Sequence, residues 1–201
     1  MKKLTHSFAA VKLIIAAIIF LAVPTLVAAQ ATYKLVQSSD VTIKVLGSSN
    51  VHDWVMTSTA MESQGNFIID GDKLQGLQSF SFHLAVKSLH SDHASMDDRT
   101  YKSVNAGKYP NISYKLTSAS VTPVGGSKYL IKTKGDLTIA GATQPISMEV
   151  TATVGADNTI TCTGAKKIQL TDYGIKPPTF MLGAMKVAND LTIQFNLIYK
   201  K

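Results

Sequence analysis

Cysteine, arginine and tryptophan each occur once in this chain of 201 residues, as Cys162, Arg99 and Trp54. A single thiol makes no internal disulfide, so a disulfide framework is excluded as the source of stability. Cys162 alternates with Thr161 and Thr163 and reads as a buried structural thiol rather than a nucleophile. One arginine, with lysines scattered along the chain, leaves no concentrated basic face, which excludes nucleic acid as a partner class. No glycine cluster has the strand, Gly-x-Gly-x-x-Gly, helix context that cradles a phosphate. Long apolar runs are missing too, with one exception at the N-terminus.

That exception has the layout of a secretory signal peptide. Lys2, Lys3 and Lys12 give a basic start, residues 11–27 are almost wholly apolar, and Ala28, Ala29 and Ala31 form a small-residue exit. Pro24 interrupts the run and no basic stop-transfer group follows it, which favours cleavage after Ala29 or Ala31 over a membrane anchor. Residues 1–31 are therefore read as a leader and residues 32–201 as one domain. Removing the leader takes away three of the 20 basic residues and none of the 13 acidic ones, leaving a net charge of about +4.

What the remainder holds in quantity is alternation. Tyr129, Ile131, Thr133, Leu137 and Ile139 share one parity, and Ile146, Met148, Val150, Ala152 and Val154 share another after a connection over residues 141–145. Period two at this length marks half-buried strands, here an antiparallel hairpin. Phe80, Phe82, Leu84 and Val86 alternate with polar neighbours, and the chain closes on Leu191, Ile193, Phe195, Leu197 and Tyr199. Val41, Ile43 and Val45 alternate near the start, and a turn at Gly65-Asn66 is expected to precede a short strand over residues 67–69. Only residues 90–105 depart from this pattern. Ser95 followed by Asp97 and Asp98 predicts an N-cap, and a short helix near residues 95–105 ends before Gly107 and Pro110. Eight or nine antiparallel strands with one helix bury their apolar face either in a sandwich or in a closed barrel.

Two clusters carry the residue types of catalysis or metal binding. His90, Asp92, His93, Asp97 and Asp98 match no closed four-ligand spacing, and a solvated loop capping the helix is the simpler account. His52-Asp53 and His90-Ser91-Asp92 place base and acid on adjacent residues, which point to opposite faces of a strand. No catalytic or metal residue is assigned.

Three stretches fix a resemblance: Lys108-Tyr109-Pro110-Asn111-Ile112-Ser113-Tyr114, the run from Gly135 to Pro145, and Asp172-Tyr173-Gly174-Ile175. Their order and spacing resemble the YceI-like family, in the variants with a Ser-Asn-Val-His-Asp-Trp stretch, here Ser49 to Trp54. The resemblance implies an all-β fold, an extended antiparallel lipocalin-like barrel of about eight strands with one short helix. It also implies a non-catalytic periplasmic protein holding a long amphiphilic or isoprenoid lipid, such as a polyprenol or an isoprenoid quinone, with no other cofactor. Transient membrane contact and pairing into a homodimer are compatible with it.

The residues expected to face such a lipid are Phe80, Phe82, Leu84, Val86, Tyr129, Ile131, Leu137, Ile139, Ile146, Met148, Phe195 and Leu197. Trp54 either plugs one end of the barrel or donates its N–H to a headgroup. Two other readings stay open: an exported structural or partner-binding barrel with a filled core, and an enzyme acting on an amphiphile with His52 or His93 as base.

Overall fold

A computed structural model of the chain describes residues 31–201, so the expected leader lies, but for Ala31, outside the described residues. The strands are β1 (Ala31–Leu35), β2 (Thr42–Ser48), β3 (Asp53–Ser58), β4 (Met61–Asp70), β5 (Lys73–Ala85), β6 (Asn111–Gly125), β7 (Lys128–Ile139) and β8 (Ala142–Val154). They continue with β9 (Ile160–Gln169), β10 (Thr179–Phe180), β11 (Met185–Lys186) and β12 (Asp190–Lys200), and helix α1 (Ala94–Ser103) separates β5 from β6. Eight strands in the order β1-β4-β5-β6-β7-β8-β9-β12 close into an antiparallel barrel, because β12 pairs back to β1 through Lys34–Lys200 and Leu35–Tyr199. Further along, β12 takes β2 on that same edge, from Asn196–Thr42 to Thr192–Leu46, and β2 carries β3. β1 and β2 thus lie in line along one strand. The fold is the all-β, lipocalin-like barrel with one short helix.

Parity sets the inside. On β7 every odd residue from Tyr129 to Ile139 is buried, Gly135 included. A shift of one residue would put that whole set into water, at a cost of about 1.5–3 kcal/mol for each large apolar side chain. Aromatic rings fill the hairpin end of the barrel. Tyr33 meets Phe67 edge-on at 5.5 Å, and Tyr199 lies 5.6 Å from Phe67 and 5.8 Å from Phe80. Tyr199 is fully buried, and its hydroxyl shares a hydrogen bond with Ser63 Oγ at 2.9 Å.

Two ladders stop short. β5 and β6 pair only over Ser81–Ala85 with Asn111–Lys115, leaving residues 73–80 and 116–125 unjoined. β8 and β9 pair only over Val150–Val154 with Ile160–Gly164, leaving residues 142–149 and 165–169 unjoined. The wall is therefore one continuous sheet in which the β6-β7-β8 panel is fastened to its neighbours at two opposite corners, with a seam beside each.

Several expectations shift in register. The connection at 141–145 is a two-residue turn, Ala140-Gly141, with φ of 49° and 80°, the left-handed pair that hairpin twist favours. Thr143, Gln144 and Pro145 already belong to β8, and Pro145 sits where that strand borders the β8–β9 seam, so its missing N–H breaks no ladder bond. Gly65-Asn66 is not a turn, because β4 runs unbroken past it. Gly65 instead gives room to Phe67 and Phe80, whose rings would lie 3.0 and 3.1 Å from a Cβ.

The helix starts one residue early. His93 is its N-cap, without a side-chain cap bond, and Ser95 lies within the first turn. Asn105, at φ 52°, turns the chain just past the helix, before Gly107. Asp97 is drawn backwards instead of capping: Oδ1 accepts Ser91 N–H and Ser91 Oγ–H, both at 2.7 Å, and Oδ2 lies 3.0 Å from His90 Nδ1. Burial raises this carboxyl, but the Ser91 bonds and His90 outweigh it and hold the group below the ordinary carboxylate range.

Tyr199→Phe is expected to cost about 1 kcal/mol and Tyr199→Ala about 3–5 kcal/mol in urea unfolding. Asp97→Asn is expected to cost about 1–3 kcal/mol near neutral pH. Since the folded carboxyl titrates below its unfolded value, the wild-type advantage is complete above about pH 4 and fades as pH falls further, as paired melts across pH would record.

Candidate functional site: an apolar interior with a polar-edged mouth

The barrel is not filled. An inner chamber of about 110 Å³ lies between the two seams, and an outer chamber of about 250 Å³ reaches the helix end. Ile43, Ile112 and Ile193 belong to both linings and form a waist between them. Strand parity puts these side chains inside: Ile43 faces inward from β2, Ile112 from β6 and Ile193 from β12.

Of the residues named from sequence, Phe80, Phe82, Ile131, Leu137, Ile146, Met148, Phe195 and Leu197 line the inner chamber. Trp54, Leu84 and Ile139 line the outer one. Val86 and Tyr129 are buried at 2% and 5% exposure but belong to neither lining. Val86 opens the turn after β5, where its N–H bonds Pro110 O at 2.8 Å, and Tyr129 packs opposite Ala152.

Sequence reasoning missed the waist, one lysine and most of the mouth. Lys166 shares the inward parity of Cys162 and Ile168 on β9, beside the open β8–β9 seam, and lines the inner chamber. The same alternation that located Cys162 would have found it. At the mouth, α1 contributes Met96 and Arg99, its C-cap contributes Val104, and the segment after β9 contributes Tyr173, Ile175, Phe180 and Met185. Met96, Thr100 and Val104 recur at helical spacing and mark one face of the helix, whereas the segment after β9 has no period at all, so its inward residues had no signal beyond being apolar.

The chemistry is apolar walls with hydrogen-bond donors at the rim. Among the described residues, the lining of the outer chamber holds no carboxylate, and its charged or chargeable side chains include Arg99, His52 and His93. Arg99 lies 4.7 Å from the centroid of Phe180, a cation–π contact that ties α1 to the β10–β11 hairpin across the opening. The Trp54 ring lies flat on Gly47, opposite it on β2, where any Cβ would overlap the indole. The Trp54 N–H is buried and has no acceptor, and neither has the Tyr114 hydroxyl in the inner chamber. An orphaned buried donor is costly, and an oxygen supplied by a guest would satisfy it.

The reactive residue types are otherwise engaged. Burial pushes the Cys162 thiol up to about 12, so it stays protonated and inert. Burial, with Asp172 adding to it, pushes Tyr173 up to about 12 as well. Ser49 Oγ donates to His52 O and accepts the N–H groups of Val51 and His52, which makes it a turn residue. In the His90-Ser91-Asp97 group the acid accepts from both partners, whereas a nucleophile needs the imidazole between serine and acid. Among the described residues, no three His, Cys, Asp or Glu are grouped to hold a metal ion.

Comparison with known proteins agrees with this architecture. The family model described as the YceI-like domain matches residues 33–199. The structure of Burkholderia cenocepacia BcnA is similar, with a TM-score of 0.64 at 19% identity over 80% of this chain and 96% of that one. A polyisoprenoid binding domain from Saccharophagus degradans, implicated in plant cell wall breakdown, gives a TM-score of 0.63 at 12% identity over 86% of this chain and 99% of that one. The Campylobacter jejuni YCEI protein gives 0.51 at 17% identity over 69% and 81%. Among curated proteins, none matches the chain. A single apolar-lined, lipocalin-like barrel, matched along nearly its whole length by one family model, places the chain in the YceI-like family.

Proposed function

We propose that the protein carries one long-chain lipid through the cell envelope, its hydrocarbon chain threaded past the waist into the inner chamber and its headgroup at the helix end. The observation that carries this reading is the pairing of an apolar-walled interior, left unfilled by side chains, with an unsatisfied indole N–H at its mouth. Each methylene buried there contributes about 0.8 kcal/mol with little chemical selectivity, so chain length is read by the depth of the interior. Trp54 and Arg99 read the headgroup, and both are donors. A polyprenol hydroxyl or a quinone carbonyl would supply the acceptor. The leader read from the sequence directs the protein to the periplasm, and the guest is exchanged during brief contact with a membrane.

Native mass spectrometry of the protein recovered from its own envelope, followed by denaturing extraction, is expected to show one bound lipid per chain. An empty protein that also refuses isoprenoid and fatty-acyl probes would overturn the proposal and leave a barrel serving a structural or partner-binding role. Trp54→Phe keeps an aromatic side chain and removes the donor, and is expected to weaken binding roughly three- to tenfold in displacement of a fluorescent polyprenol. Ile193→Trp at the waist is expected to abolish binding of long chains and spare short ones.

A further inference from the structure

The segment joining β10 to β11 departs from the way the rest of the chain treats apolar side chains. Met181 and Leu182 are 74% and 110% exposed, the two most exposed large apolar residues among the described residues. Their backbones are left-handed, with φ of 53° and 56°, and Gly183 follows at 91°. A left-handed conformation is unfavourable for side chains of this size. It holds two large apolar groups out in water, where neither gains from burial. Strain of this kind is retained where a surface is used.

The hairpin has a second face. Phe180 and Met185, on either side of the tip, line the outer chamber, so the same short element forms a wall of the mouth and projects beyond it. It is braced by the neighbouring β2–β3 turn. Asn50 Nδ2 donates to Ala184 O at 2.8 Å, and Lys186 N–H donates to Asn50 Oδ1 at 2.7 Å. Val51, the next residue, is 62% exposed beside it. Lys176 and Lys186, both exposed, stand before and after the tip.

We propose that Met181 and Leu182, with Val51 beside them, form the tip by which the protein docks on a lipid bilayer, mouth towards the membrane. The proposal rests on the carrier reading for its purpose and on these exposed residues for its location. A convex tip of a few apolar side chains lacks the roughly 800 Å² per partner that a stable protein interface buries. It suits the boundary between headgroups and acyl chains, where a few inserted side chains give weak, reversible attachment. Lysines on the flanks keep their stems along the apolar layer and their charges among phosphates. Docked in this way, Arg99 and Trp54 face the headgroup layer from which the guest is drawn.

The test is cosedimentation of the envelope-derived protein with vesicles of phosphatidylcholine and phosphatidylglycerol. Leu182→Ser is expected to lower partitioning about tenfold, the worth of one such side chain moved from hydrocarbon to water. Met181→Ser is expected to lower it as well, and the double variant to abolish it. Val124→Ser, which removes an exposed apolar residue elsewhere (57% exposed), is expected to change nothing. Unchanged melting temperatures would show that the variants fold. Wild-type protein that stays in the supernatant, equal partitioning of Leu182→Ser and wild type, or a protein partner seated on the tip would each overturn the proposal. The carrier reading fails separately: an empty native mass spectrum beside intact, tip-dependent partitioning removes the guest and leaves the docking surface supported.

Discussion

One strand holds the molecule in a single piece. β12 pairs with β9 along one edge and with β2 and then β1 along the other, so the first and last strands of the domain meet there. Without that return the sheet would have two free edges and an apolar face open to water. With it, every inward side chain faces another across an enclosed interior. Tyr199, near the end of β12, is fully buried where this closure meets the aromatic cluster. Barrel closure and the sealed hairpin end are thus the same event. The opposite end is left for α1, the β2–β3 turn and the β10–β11 hairpin to finish.

Those two ends differ in the kind of interaction that shapes them. At the hairpin end, rings pack on rings and the one buried hydroxyl of the cluster's closing tyrosine is satisfied by Ser63. At the helix end, the contacts are single and polar: Asp97 anchors the start of α1, Arg99 reaches Phe180, and Asn50 braces the hairpin. Few of these bury much apolar area, and contacts of that sort open at lower free energy than a packed core. The sealed end supplies stability and the polar end supplies access.

Much of the wall was legible in the sequence, since alternation alone places Ile131, Leu137, Ile146, Phe195 and Leu197 inside. It failed where a residue's ordinary preference pointed away from its place. Gly65 and Asn66 look like a turn, yet the glycine serves two aromatic neighbours within a continuous strand. Lys166 is charged and drew no attention as a lining residue, although its parity matches that of Cys162. Ser95 has the chemistry of a cap, but Ser91 and His90 hold Asp97 and the cap falls at His93, ahead of a helix that begins at Ala94. The mouth was the least legible part, because Trp54, Arg99, Phe180 and Met185 meet only through tertiary structure. No local period links them.

The two seams give the barrel an uncommon mechanical character. In a fully laddered barrel, strand number and stagger set the diameter, and widening it means breaking inter-strand hydrogen bonds. Here residues 142–149 and 165–169 share no such bonds, nor do residues 73–80 and 116–125. Spreading the wall along those lines strains side-chain contacts and leaves the ladders whole. The sheet of β6, β7 and β8 acts as a hinged panel fixed at two corners, and the girth of the interior becomes a property of what it encloses.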